Sequence, residues 1–105
     1  MNQQIFNEIQ SLRRQILPEG GKLILFGSQA RGDAKSDSDW DLVVLLNKKG
    51  KITYEEDAMY GYPFDTVGWK YGTAINTLIY STEDWEKGKS FPFYKNVMRE
   101  GIEIN

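Results

Sequence analysis

The spacing of apolar residues divides the chain into helical and extended stretches. Ile5, Phe6, Ile9, Leu12 and Ile16 recur at helical spacing, with Arg13, Arg14 and Gln15 filling much of the polar side, which predicts an amphipathic helix over residues 5–16. Pro18 and the pair Gly20-Gly21 stop it. Residues 22–26, KLILF, are apolar and bounded by glycine, the pattern of a buried strand. Gly27-Ser28 ends that strand abruptly, and Ser28 suits the N-cap of a short helical turn through Ala30 and Arg31. Residues 32–38 are small and polar, hence a loop, and 40–46 read as a second strand followed by a turn at 47–50. Thr53 with Glu56 matches a capping box and predicts a short helix over 52–60. Residues 62–69, with Pro63 near the start, predict a third strand, and 74–80 a fourth. Ser81 or Thr82 then caps a turn through Trp85. Residues 91–99 have helical spacing closed by Gly101, and 102–104 form a short strand or a tail. The order predicts one α/β or α+β domain spanning 1–105, a sheet with helices on one side.

Composition narrows the chemistry. The 105 residues are enough for one small domain, and fourteen aromatics supply core area where apolar residues reach only 40%. There is no cysteine and no histidine. That excludes disulfides, thiolate metal sites, the commonest general base, and every Ser-His or Cys-His pair. Any chemistry falls to carboxylates, hydroxyls, backbone amides or an oxygen-bound metal. The net charge of −2 argues against nucleic-acid binding by overall charge. The polar start, Met1-Asn2-Gln3-Gln4, predicts no signal peptide, and the longest apolar run, Leu42 to Leu46, is far short of a membrane span. A cytoplasmic protein is the expectation.

Four features coincide in and around GSQARGDAKSDSDWDLVVLL, residues 27–46. Asp39 and Asp41 lie two apart at a strand entrance, so alternation puts both carboxylates on one face, with Cα atoms roughly 7 Å apart. Like charges repel there, and a divalent cation resolves the conflict; oxygen donors suit Mg²⁺ or Mn²⁺. Gly27-Ser28 stands at a strand-to-helix turn, where backbone amides and a hydroxyl attract phosphate. Arg31, one helical turn beyond Ser28, can grip the same anion. Asp65 is isolated between Phe64 and Thr66 in the expected third strand, where a shared metal would supply a partner. Taken singly, each has an ordinary explanation: a turn, a solvated strand entrance, a surface ion pair, a capped turn. Taken together they suit metal-assisted phosphoryl or nucleotidyl transfer without histidine.

The segment resembles the nucleotidyltransferase superfamily typified by DNA polymerase beta and kanamycin nucleotidyltransferase. Gly27-Ser28, ten residues, then Asp39-Trp40-Asp41 matches its G-S…D-x-D signature. The longer pattern, Gly27 to Gly32 with Ser38 to Leu42, resembles the minimal nucleotidyltransferases of toxin–antitoxin pairs, whose partner is a helical HEPN protein. The tail from Phe91 to Ile104 is similar to the end of such proteins. The resemblance implies a mixed sheet flanked by helices. It implies two Mg²⁺ ions on Asp39 and Asp41, with Asp65 as third ligand and base. It also implies a triphosphate held by Gly27, Ser28 and Arg31, with ATP as the donor of AMP and a HEPN toxin tyrosine as acceptor. Pro63-Phe64-Asp65 is only a fair match to the family, and Asp57, among Glu55 and Glu56, is the fallback for the third carboxylate. Trp69, Tyr71 and Trp85 suit core or interface packing better than base stacking, Trp40 is expected in the core, and Ser36 and Ser38 shape the loop. Two other functions remain open: an antitoxin that works by occlusion alone, and an aminoglycoside-like small-molecule transferase, for which the chain has no acceptor domain. Homo- or hetero-oligomers fit either setting.

Overall fold

The computed structural model describes residues 1–105. Along the chain run α1 (Gln3–Ile16), β1 (Lys22–Phe26), α2 (Ser28–Arg31), β2 (Trp40–Leu46), α3 (Tyr54–Tyr71), β3 (Ile75–Ser81), α4 (Thr82–Lys87), α5 (Pro92–Glu100) and β4 (Ile102–Ile104). The four strands form one mixed sheet in the order β3-β2-β1-β4. β1 pairs antiparallel with both β2 and β4, whereas β2 and β3 are parallel. The fold is α+β, the mixed sheet with flanking helices that the sequence implied.

The parallel pair explains the largest departure from the sequence reading. Parallel neighbours need a crossover of a dozen or more residues, usually a helix. The stretch after Ile52 is therefore not a short helix and a strand. Residues 54–71 form the single 18-residue helix α3, which runs through Pro63. The Thr53–Glu56 capping box opens it as expected. Pro63 lacks an N–H, a cost of about 3 kcal/mol in a helix interior. Packing offsets that cost, because α3 buries Phe64, Val67 and Gly68. Gly68 is needed where α3 ends: a Cβ there would press on the Thr73 carbonyl.

Helices cover both faces of the sheet, not one. Alternation along β2 sends Trp40, Leu42, Val44 and Leu46 into a core with Ile5 and Ile9 of α1 and Phe64 and Val67 of α3. Val43 and Leu45 point the other way and pack with Ile24, Trp85 of α4 and Val97 of α5. Trp40, at 1% exposure, is core, as expected from its place between the two aspartates. Arg13 ties the layers together: its guanidinium donates to the Ile104 carbonyl at 3.2 Å and the Gly21 carbonyl at 3.1 Å. No helix is long and apolar enough to cross a membrane.

Candidate active site

The site forms where β1 ends and β2 and β3 begin, on the face that carries α4 and α5. β1 stops at Phe26, and Gly27 turns the chain with φ 75° and ψ −159°, a region open to glycine alone. A Cβ at Gly27 would collide with the Asp41 carboxylate. The glycine thus serves two needs at once: the sharp turn and the direct apposition of that turn to Asp41. The register agrees, since Phe26 stands opposite Asp41. Ser28 follows as the first residue of α2. Gln29, buried next to it, donates to the Ser38 carbonyl at 3.3 Å and stitches α2 to the loop that leads into β2. The Ser38 hydroxyl in turn accepts from the Lys35 amide at 2.8 Å, the loop-shaping role its position suggested.

Asp39 and Asp41 meet at a residue the sequence did not single out. Asn76 on β3 is in register with Asp41. Its side-chain amide donates to Asp39 Oδ2 at 3.2 Å and to Asp41 Oδ1 at 3.1 Å. The two carboxylates therefore share one face and one small region, as alternation requires. In the sequence Asn76 is one of three polar residues, with Thr77 and Ser81, in the strand INTLIYS. Its meaning depends on the parallel pairing, which joins residues 35 apart in sequence.

Arg31 lies on the other side of the Gly27 turn. Its Nε donates to Asp33 at 3.3 Å and its Nη1 to Glu100 Oε1 at 3.2 Å. Asp33 first, and then Glu100, raise the guanidinium pKa above its already high ordinary value. Glu100 Oε1 also accepts the Gly27 amide at 3.2 Å. A carboxylate from the end of α5 thus rests on two of the groups expected to hold phosphate. Nothing local in the sequence pointed to Glu100, which lies 73 residues from Gly27.

Asp65 is the correction. It sits on α3, not on a strand, and lines a recess with Asp57, Gly61, Tyr62 and Thr77. Thr77 follows Asn76 on β3 and so points to the opposite face of the sheet. The structure accordingly separates Asp65, and the fallback Asp57, from Asp39 and Asp41 by the thickness of the sheet. Partial burial, and then the charge of Asp57, raise the Asp65 pKa. The aromatics behave as core or surface residues. Trp85 is buried among Tyr80, Phe93 and Tyr94, and Tyr71 packs against the α1/α3 core. Trp69 is 66% exposed and stacks edge-on against Tyr62 at 5.5 Å.

The donor set fits a divalent cation in a limited way. No group of three or more His, Cys, Asp or Glu side chains is arranged so that it could hold a metal ion. Two adjacent carboxylates facing each other across a single amide are the protein share of a Mg²⁺ site that takes its remaining ligands from phosphate and water.

A fold with a G-S turn held against a D-x-D pair at the ends of a mixed sheet is that of a nucleotide-transferring enzyme. A family model described as a nucleotidyltransferase domain matches residues 4–97. The chain belongs to that family and is a nucleotidyltransferase. Among curated proteins it is similar to a "putative protein adenylyltransferase" of Methanocaldococcus jannaschii, 35% identical over an alignment of 83 positions that covers 76% of this chain and 73% of the relative. Among solved structures it is similar to a toxin–antitoxin crystallised with AMP-PNP. The match has a TM-score of 0.66, 17% identity, and covers all of this chain and 73% of the other. At that identity the likeness supports the fold.

Proposed function

We propose that the protein transfers AMP from ATP to a hydroxyl group on a partner protein, with Asp39 and Asp41 as the catalytic carboxylates. The observation that carries this reading is the convergence of both carboxylates on Asn76 directly beside the Gly27 turn. Asp39 and Asp41 would hold Mg²⁺, two ions with the nucleotide's phosphates as further ligands, and Mn²⁺ suits the same oxygens. Bound there, the metal supplies neutralisation of phosphate charge and activation of the acceptor oxygen. The Gly27 amide, the Ser28 hydroxyl and the Arg31 guanidinium hold the polyphosphate and orient the α-phosphorus. The acceptor oxygen forms a bond to that phosphorus as the bond to pyrophosphate breaks in line. Asp39, exposed at the entrance of β2, would take the acceptor's proton. Asp65 has no part in these steps.

The similarity to a named protein adenylyltransferase supports AMP and a protein acceptor. The toxin–antitoxin with AMP-PNP supports ATP and a toxin partner, and the resemblance of the signature is the ground for proposing a HEPN-like one. The sheet face beside the site is open: Leu78, two residues beyond Asn76 on the same face, is 42% exposed. A second chain has room to bring its hydroxyl there. The test is co-expression with the product of the neighbouring gene, followed by intact mass of that product. A gain of one AMP, lost in Asp39→Asn or Asp41→Asn, supports the reading; no gain with any nucleotide or metal contradicts it.

One observation favours a second reading, an antitoxin that acts by occlusion. The pair has an amide, Asn76, where a third carboxylate would complete a metal site. On that reading Asp39→Asn still neutralises the toxin. Neutralisation lost while binding persists excludes it.

A further inference from the structure

We propose that Glu100 is a gate on the phosphate site: its carboxylate occupies the anion position between the Gly27 amide and Arg31, and a polyphosphate enters only as Glu100 swings out. The inference rests on the proposed nucleotide site and adds a residue to it. The geometry is that of a bound anion. One oxygen, Oε1, accepts from the Gly27 amide at 3.2 Å and from Arg31 Nη1 at 3.2 Å. The side chain is 18% exposed, so it is seated and not loosely solvated.

The backbone that presents Glu100 is fixed. Val97, one turn earlier, is fully buried against β1. Gly101, next in the chain, donates to the Val97 carbonyl at 2.7 Å, and a Cβ there would strike both that carbonyl and Ile24. Ile102 then pairs with Leu25. The Glu100 side chain can turn without disturbing that backbone. Its position is also unfavourable in local terms, because a carboxylate at the last residue of a nine-residue helix faces the negative end of the helix dipole. The pocket supplied by Gly27 and Arg31 accounts for where it rests.

Two anions cannot share one amide and one guanidinium nitrogen. A phosphate group seated there displaces the carboxylate, and the carboxylate left nearby repels it. Glu100 therefore lowers the affinity for free polyphosphate and favours ligands whose charge a metal has already reduced. Asp33 keeps its own bond to Arg31 Nε, so the guanidinium stays oriented when Glu100 leaves.

The probe is tripolyphosphate without metal, titrated into the ¹⁵N-labelled full chain while the Gly27 amide resonance is followed. Glu100→Gln retains an oxygen acceptor for the Gly27 amide but loses the charge, and a thermal melt checks that it folds. We expect Glu100→Gln to bind tripolyphosphate about fivefold more tightly than wild type, the scale of one competing ion pair at the surface removed. In the wild-type chain the ¹³C resonance of the Glu100 carboxyl should move as the probe binds, a readout that survives if the variant fails to fold. Equal or weaker binding by Glu100→Gln, a carboxyl resonance that stays put, or no binding by either protein overturns the gate. AMP transfer is scored separately. Tighter tripolyphosphate binding with no AMP transfer contradicts the proposed function and leaves the gate standing; the reverse pair of results does the opposite.

Discussion

The two faces of β2 are built from alternate residues of one strand and do opposite work. On the α1/α3 face, Trp40, Leu42, Val44 and Leu46 are all buried from end to end. On the α4/α5 face, Val43 and Leu45 are buried, but the next position, Asp41, is only half-buried and Asp39 beyond it is exposed. The first face is covered along its length by helices; on the second the cover stops short, and the strand ends carry carboxylates in place of apolar side chains. The chemistry lies where the packing stops. A carboxylate pair under α3 would have lacked water and partners, whereas beside the Gly27 turn it keeps an amide donor and access for a ligand.

The comparison breaks most visibly on the closed face. Phe64→Ala removes a fully buried ring from the α1/α3 core. It should cost about 3–5 kcal/mol in urea or thermal unfolding, a large share of a small domain's stability. On the open face the reverse pattern is expected. Asp41→Asn should reduce AMP transfer by about 10²–10³-fold, the scale of losing one group that stabilises transition-state charge, while unfolding stays within about 0.5 kcal/mol of wild type. Gly27→Ala joins the two effects. It places a side chain in a backbone region that costs about 1–3 kcal/mol and drives a methyl into the Asp41 carboxylate, so stability and transfer should fall together.

The smallest effect is expected at Asp65. Partial burial, with help from Asp57, raises its pKa in the folded chain. The folded state thus keeps this proton to higher pH than the unfolded state. Whatever stability the group contributes is complete below the ordinary carboxylate range and is lost as pH rises through the raised value. Asp65→Asn removes that loss. The variant should match wild type in acid and be slightly more stable at neutral pH, by about 0.5 kcal/mol or less, as urea titrations at the two pH values would show.

Local patterns carried much of the fold. The runs 22–26 and 40–46 are apolar and end at glycine or a polar turn, so both strands fall where they were expected. The Thr53–Glu56 capping box is also a local signal and is present. The region after it looks extended in sequence because Tyr62, Phe64 and Thr66 alternate like a strand and Pro63 argues against a helix interior. The residues that pack into the core, Tyr60, Phe64, Val67 and Tyr71, follow the helical period instead. Asp65 went to the wrong face with its element. Gly27, Ser28, Arg31, Asp39 and Asp41 were legible because a signature places them within fifteen residues of one another. Asn76 and Glu100 were not, because each reaches the site through pairing or packing 35 and 73 residues distant.

One measurement separates the two faces most directly: the transfer of label from α-³²P-ATP to the co-expressed partner protein, by wild type, Asp41→Asn and Asp65→Asn in parallel. With the site on the open face, label is transferred by wild type and by Asp65→Asn and is lost in Asp41→Asn. Loss of transfer in Asp65→Asn with Asp41→Asn still active would contradict it.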